Sequence, residues 1–159
     1  MATKADFTAE EWQTVGIAPI LTSMYISMAD PSGPIGLMKE MYAAAASVVE
    51  TAKEDDSIQV IKDLAADMQA RSFKPELPKF SSKDEALVYA KAEVGKAIAL
   101  VESRSPADGP AYRRWLYDTA VRSAEAGKEG GFLGFGGTAV SDAERAALSE
   151  LAGVLGVSA

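Results

Sequence analysis

FTAEEWQTVGIAPILTSMYISMA, residues 7–29, decides how the chain is read. Thr8 is followed three positions later by Glu11. Phe7 stands just before Thr8, and Trp12 stands four residues after it. This is the pattern of a capping box with a hydrophobic staple. The hydroxyl takes a free N–H of the first turn, the carboxylate reaches back to the cap N–H, and the two rings clamp the entry. A helix is therefore predicted from Thr8 to about Ala29. Pro19 falls inside it and predicts a kink, because proline lacks an N–H and crowds the previous turn. Beyond Pro19 the segment is apolar nearly all round. Such a helix is either central in its own domain or buried against a partner.

Working outward, the same periodicity places five more helices, with strand signals almost absent. Asp30–Pro34 reads as a turn, and Pro34 suits the first position of helix two. There Met38, Met41, Tyr42, Ala45, Val48, Val49 and Ala52 fall at helical spacing, and the small residues Ala43 to Ala46 allow a close neighbour. Glu54-Asp55-Asp56 leads to helix three, with Ile58, Ile61, Leu64, Ala65 and Met68 in one stripe. FKPELPKF, residues 73–80, is a non-helical connector, stiffened by Pro75 and Pro78. Ser82 and Glu85 form a second capping box for helix four, which runs to about Arg104. Helix five presents Tyr112, Trp115, Leu116, Thr119 and Ser123, and Gly127 fits its stop. Ser141 and Glu144 start helix six. The expected fold is a single all-α domain over residues 1–159. It is an antiparallel bundle of five to six helices with a Gly/Phe-rich loop before the last.

Composition removes whole classes of chemistry. The 159 residues contain no histidine and no cysteine. This excludes disulfides, thiolate or imidazole metal ligands, cysteine nucleophiles and the Ser-His-Asp triad. A net charge of −7 argues against nucleic-acid binding, which relies on a basic face. The greasiest run is too short and too interrupted for a membrane span. A cytoplasmic protein with no cofactor is expected.

EGGFLGFGGTAVS, residues 129–141, is the unusual stretch. Gly131 to Thr138 matches the phosphate-binding loop pattern except that Gly137 occupies the lysine position. That lysine supplies the charge that reaches the outer phosphates, and the loop should follow a strand. Gly134 to Ala139 fits a loose dinucleotide pattern, again without the strand before it. Besides anion binding by the loop amides and the helix-six N-terminus, two readings are left. Phe132, Leu133 and Phe135 either plug the ends of this chain's own helices or form an adhesive loop for a partner. Burying each contributes roughly 1.5–3 kcal/mol. Together with Trp115-Leu116, Val140-Ser141 and Glu144, the segment resembles a group of small helical bacterial proteins. The resemblance covers about the last third of the chain. It implies an α-helical bacterial domain and carries no activity.

Other candidate groups are weaker. Glu54-Asp55-Asp56 lacks the spaced oxygen ligands of a calcium loop. Met24, Met28, Met38 and Met41 could line an adaptable pocket. Arg113 and Arg114, beside Trp115 and Tyr117, could grip an anion, with Tyr42 as a further ligand contact. The expected function is a non-enzymatic interaction or scaffold module. It would form a homodimer or bind a partner protein through helix one or the Gly/Phe loop. The alternative is a small-ligand binder or enzyme with a cavity between helices, using tyrosine, arginine or carboxylate groups.

Overall fold

Local capping decides where the first helix begins, and the rest of the fold is arranged around it. In the computed structural model the Thr8 hydroxyl accepts from the Glu11 N–H at 3.2 Å, and the Glu11 carboxylate accepts from the Thr8 N–H at 2.9 Å. The Phe7 and Trp12 rings lie 5.8 Å apart, closing the staple. The structure describes residues 1–29, 35–129 and 140–159; side chains at 35–41 and 127–129 are outside the description. Six α-helices are present among the described residues: α1 Ala9–Ser27, α2 Ile35–Thr51, α3 Gln59–Gln69, α4 Lys83–Arg104, α5 Gly109–Glu129 and α6 Asp142–Leu155. No strand occurs among these residues.

α1 is the central helix. Every residue from Val15 to Ile26 is buried, and α2, α4, α5 and α6 all pack against it. Its apolar surface is therefore consumed inside the molecule. This corrects the expectation that helix one serves as a docking surface for a partner. The chain's own helices already cover it.

Pro19 leaves the Val15 carbonyl without its helical donor. The Tyr112 hydroxyl from α5 donates to that carbonyl at 2.8 Å, fully buried. The α1 helix continues through Pro19. The Pro19 carbonyl in turn accepts from Thr22 at 2.9 Å and Ser23 at 3.1 Å. The polar residues that interrupt the greasy run thus satisfy their hydroxyls within the helix.

The connector after α3 is anchored by aromatics. A Cβ on Gly16 would sit 2.4 Å from the Phe73 ring and 3.0 Å from Leu64. Only glycine lets the Phe73 ring lie against the α1 backbone. Leu77 and Phe80 also pack on the core, and Phe80 meets Tyr89 at 5.2 Å.

One predicted boundary shifts, and one capping box closes differently. α5 runs past Gly127, because glycine weakens a helix interior without forbidding it. At α4 the Ser82 hydroxyl caps Glu85 as expected, at 3.1 Å. The Glu85 carboxylate, however, turns to the N–H and hydroxyl of Ser81. At α6 the box closes as read: Ser141 and Glu144 exchange bonds of 3.2 and 2.9 Å. The Asp30–Pro34 turn and the Phe132, Leu133, Phe135 loop lie outside the described residues, as do the side chains of Met38 and Met41.

Candidate functional site

A broad depression runs between α2 and α5. It encloses about 680 Å³ and is open to solvent. Small residues make it possible: Ala43 and Ala46 on α2 and Ala126 on α5 form its apolar surface. Its walls differ in charge. Glu50, Lys53 and Glu54 follow the α2 side, and Arg122 stands on α5. Lys53 donates to Glu50 at 2.7 Å and holds that carboxyl below its ordinary range, with a smaller contribution from Arg122.

A polar seam fixes the two walls from inside. Ser47 on α2 lies 3.4 Å from Thr119 on α5, both buried. Arg122 Nη1 donates to the Ser47 hydroxyl at 3.1 Å and to Thr51 at 3.4 Å. Deeper, Ser123 of α5 donates to Ser23 of α1 at 2.7 Å. Thr119 and Ser123 belong to the stripe read from the sequence. The part played by Ser47 and Arg122 was missed. The available signal was a serine on the buried stripe of α2, which requires a partner once buried.

Tyr42 stands beside this groove on α2, one residue before Ala43, and is 79% exposed. Among the described residues the other large apolar side chains so exposed are Met1 and Val88.

Arg113 and Arg114 lie elsewhere, at the far end of α6. Arg113 Nε donates to Glu102 at 2.7 Å, and its Nη1 donates to the Leu155 carbonyl at 2.8 Å. Arg114 donates to the Ser158 carbonyl at 3.2 Å and pairs with Asp118 at 3.0 Å. These cations meet the negative end of the α6 dipole and its unpaired carbonyls. A Cβ on Gly109 would meet Glu102 at 2.6 Å, so this glycine makes room for the carboxylate that holds Arg113. Arg113, Arg114 and Tyr42 are not brought together.

Two further polar clusters lie away from the groove. Tyr25, buried on α1, has Lys91 5.5 Å from its ring centre. Lys91 pairs with Glu150, and that pairing, helped by Tyr25, lowers the Glu150 carboxyl. Burial, then Glu150, pushes the Tyr25 phenol up. The second cluster borders a cleft of about 370 Å³ lined by Phe7, Trp12, Phe73 and Lys4 among others. Asp67 is its hub. It accepts from Trp12 Nε1 at 2.9 Å and from Ser72 at 3.1 Å, and it pairs with Lys4 at 2.6 Å. Burial alone would raise the Asp67 carboxyl, but these bonds outweigh it and the net shift is downward.

Among the described residues no group of three or more acidic side chains converges to hold a metal ion. No helix there is long and apolar enough to cross a membrane. Glu54, Asp55 and Asp56 are exposed in the turn after α2. Comparison with protein-family models, curated proteins and solved structures finds no match to this chain.

Proposed function

We propose that the protein is a non-enzymatic interaction module of the cytoplasm that forms a homodimer or docks a partner protein. The observation that carries this reading is Tyr42, a large amphipathic ring standing 79% exposed on α2, next in sequence to the groove residue Ala43. Tyrosine is enriched at interfaces, where it supplies contact area at low entropic cost. Supporting it, the groups that a catalytic reading would use are committed to holding helices together. Tyr112 serves the Val15 carbonyl, Arg113 serves Glu102 and Leu155, and Asp67 serves Trp12, Ser72 and Lys4. The Gly/Phe loop with Phe132, Leu133 and Phe135 belongs to the same proposal as a second adhesive element. So does membership of the bacterial helical group. Native mass spectrometry of the purified protein tests the reading. The expected mass is two chains, or one chain with a second protein. A single chain carrying a small molecule would overturn it.

A further inference from the structure

Resting on that reading, we infer that the α2–α5 groove is a face for a second copy of this chain, with Tyr42 and the groove walls buried across a two-fold axis. A two-fold interface sets one patch against itself, so the patch must be self-complementary. This one is. Its α2 wall carries Glu50, Lys53 and Glu54 and is net acidic, while its α5 wall carries Arg122 and is basic. Rotation about an axis through the groove sets the acidic wall of one copy against the basic wall of the other, twice. The rest of the chain works against self-association. Its net charge is −7, so two copies repel at long range, and like-charge faces are selected against. A face where both signs balance offers contact without that repulsion.

The shape agrees with the charge. Ala43, Ala46 and Ala126 present no side chain beyond a methyl group, so a helix of the second copy approaches closely. Tyr42 then lies against the partner's wall instead of water. Within one copy Glu50 is already partnered by Lys53, and Arg122 Nη1 serves Ser47 and Thr51. A guanidinium carries five donors, so Arg122 can also reach a carboxylate across the axis. Glu54 is the acid on the opposing wall that it meets.

Sedimentation over a concentration series of the full chain reads the outcome. Wild type is expected to dimerise at micromolar concentration. Glu54→Arg and Tyr42→Ala should each weaken dimerisation at least tenfold, with unchanged thermal melting. Arg122→Glu should do the same, and Glu54→Arg combined with Arg122→Glu should return to within threefold of wild type. Arg122 also bonds within its own copy, so Glu54→Arg and Tyr42→Ala decide the matter if Arg122→Glu melts early. A dimer indifferent to both overturns this assignment and leaves the interaction reading standing on another face. A wild-type chain that stays monomeric at 100-fold higher concentration, on the order of 10⁻⁴ M, removes this assignment and the homodimer together.

Discussion

Removing the Tyr112 hydroxyl should cost more stability because Pro19 is present. In an ordinary helix the Val15 carbonyl would take the N–H of residue 19. Proline has none, and the Tyr112 hydroxyl fills the position at 2.8 Å in a fully buried setting. Burial pushes the Tyr112 phenol far above its ordinary value, so it stays a protonated donor at any working pH. Tyr112→Phe keeps the ring and leaves the carbonyl unpaired, at a cost of about 1–3 kcal/mol. For a chain of this length that is roughly 4–8 °C in Tm around a 2 kcal/mol loss. In a Pro19→Ala background the new N–H bonds Val15, so Tyr112→Phe should cost about 1 kcal/mol less than it does in wild type. The cycle cancels whatever Pro19→Ala does by itself, including any straightening of α1. Urea melts followed by tryptophan fluorescence and by circular dichroism measure all four corners and check two-state behaviour. Additivity within about 0.3 kcal/mol would refute the compensation.

Three further outcomes follow from the packing and the ion pairs. Gly16→Ala should destabilise by about 1–2 kcal/mol despite the better helix propensity of alanine, because the added methyl would stand 2.4 Å from the Phe73 ring and displace it. Faster tryptic cleavage at Lys79 would report the loosened connector, and Phe73→Ala should remove most of the penalty. Arg113→Lys should cost about 1 kcal/mol and speed amide exchange at the end of α6, since an ammonium cannot bridge Glu102 and the Leu155 carbonyl as a planar fork does; unchanged exchange there would count against the clamp. Asp67 is held below its ordinary value, so its contribution is complete above about pH 4 and is lost as pH falls through its lowered folded value. Asp67→Asn should flatten that part of the stability–pH curve, measured by urea melts between pH 2 and 6.

Much of the fold was legible because its signals are local. The Thr8–Glu11 box, the Phe7–Trp12 staple, the Ser141–Glu144 box and the helix-three stripe each lie within one to three turns, where spacing alone determines contact. The candidate site was far less legible. Arg113 and Arg114 have a sequence pattern equally suited to an anion and to a helix C-terminus. What decides is that Leu155 and Ser158, more than forty positions away, bring their carbonyls to the guanidinium groups. Gly127 failed as a stop for a related reason. A glycine ends a helix only when the following chain needs a left-handed residue, as at Gly156 with φ of 66°. The Tyr112 bond could have been anticipated in kind, since Pro19 guarantees one orphan carbonyl. Its donor is 97 positions away and periodicity cannot name it.

The buried hydroxyls also bear on how the groove is held. A helix moves along its axis by about 1.5 Å per residue, so sliding α2 by one residue past α5 would break several bonds together. Ser47 would leave both Thr119 and Arg122, and Thr51 would leave Arg122 as well. A purely apolar contact between these helices would penalise the same slide much less, because alanine and valine methyl groups repack without geometric demands. Three hydroxyls and one guanidinium therefore set the register of α2 on α5, and with it the distance between Glu54 and Arg122 on the rim. The walls that a second copy would meet are consequently in place before it arrives. Such preorganisation lowers the entropic cost of association and leaves more of the contact energy as affinity. It also explains why a chain of this composition places hydroxyls in the buried seam between helices. There they specify position, while the surrounding Val, Leu and Ile supply the drive to fold.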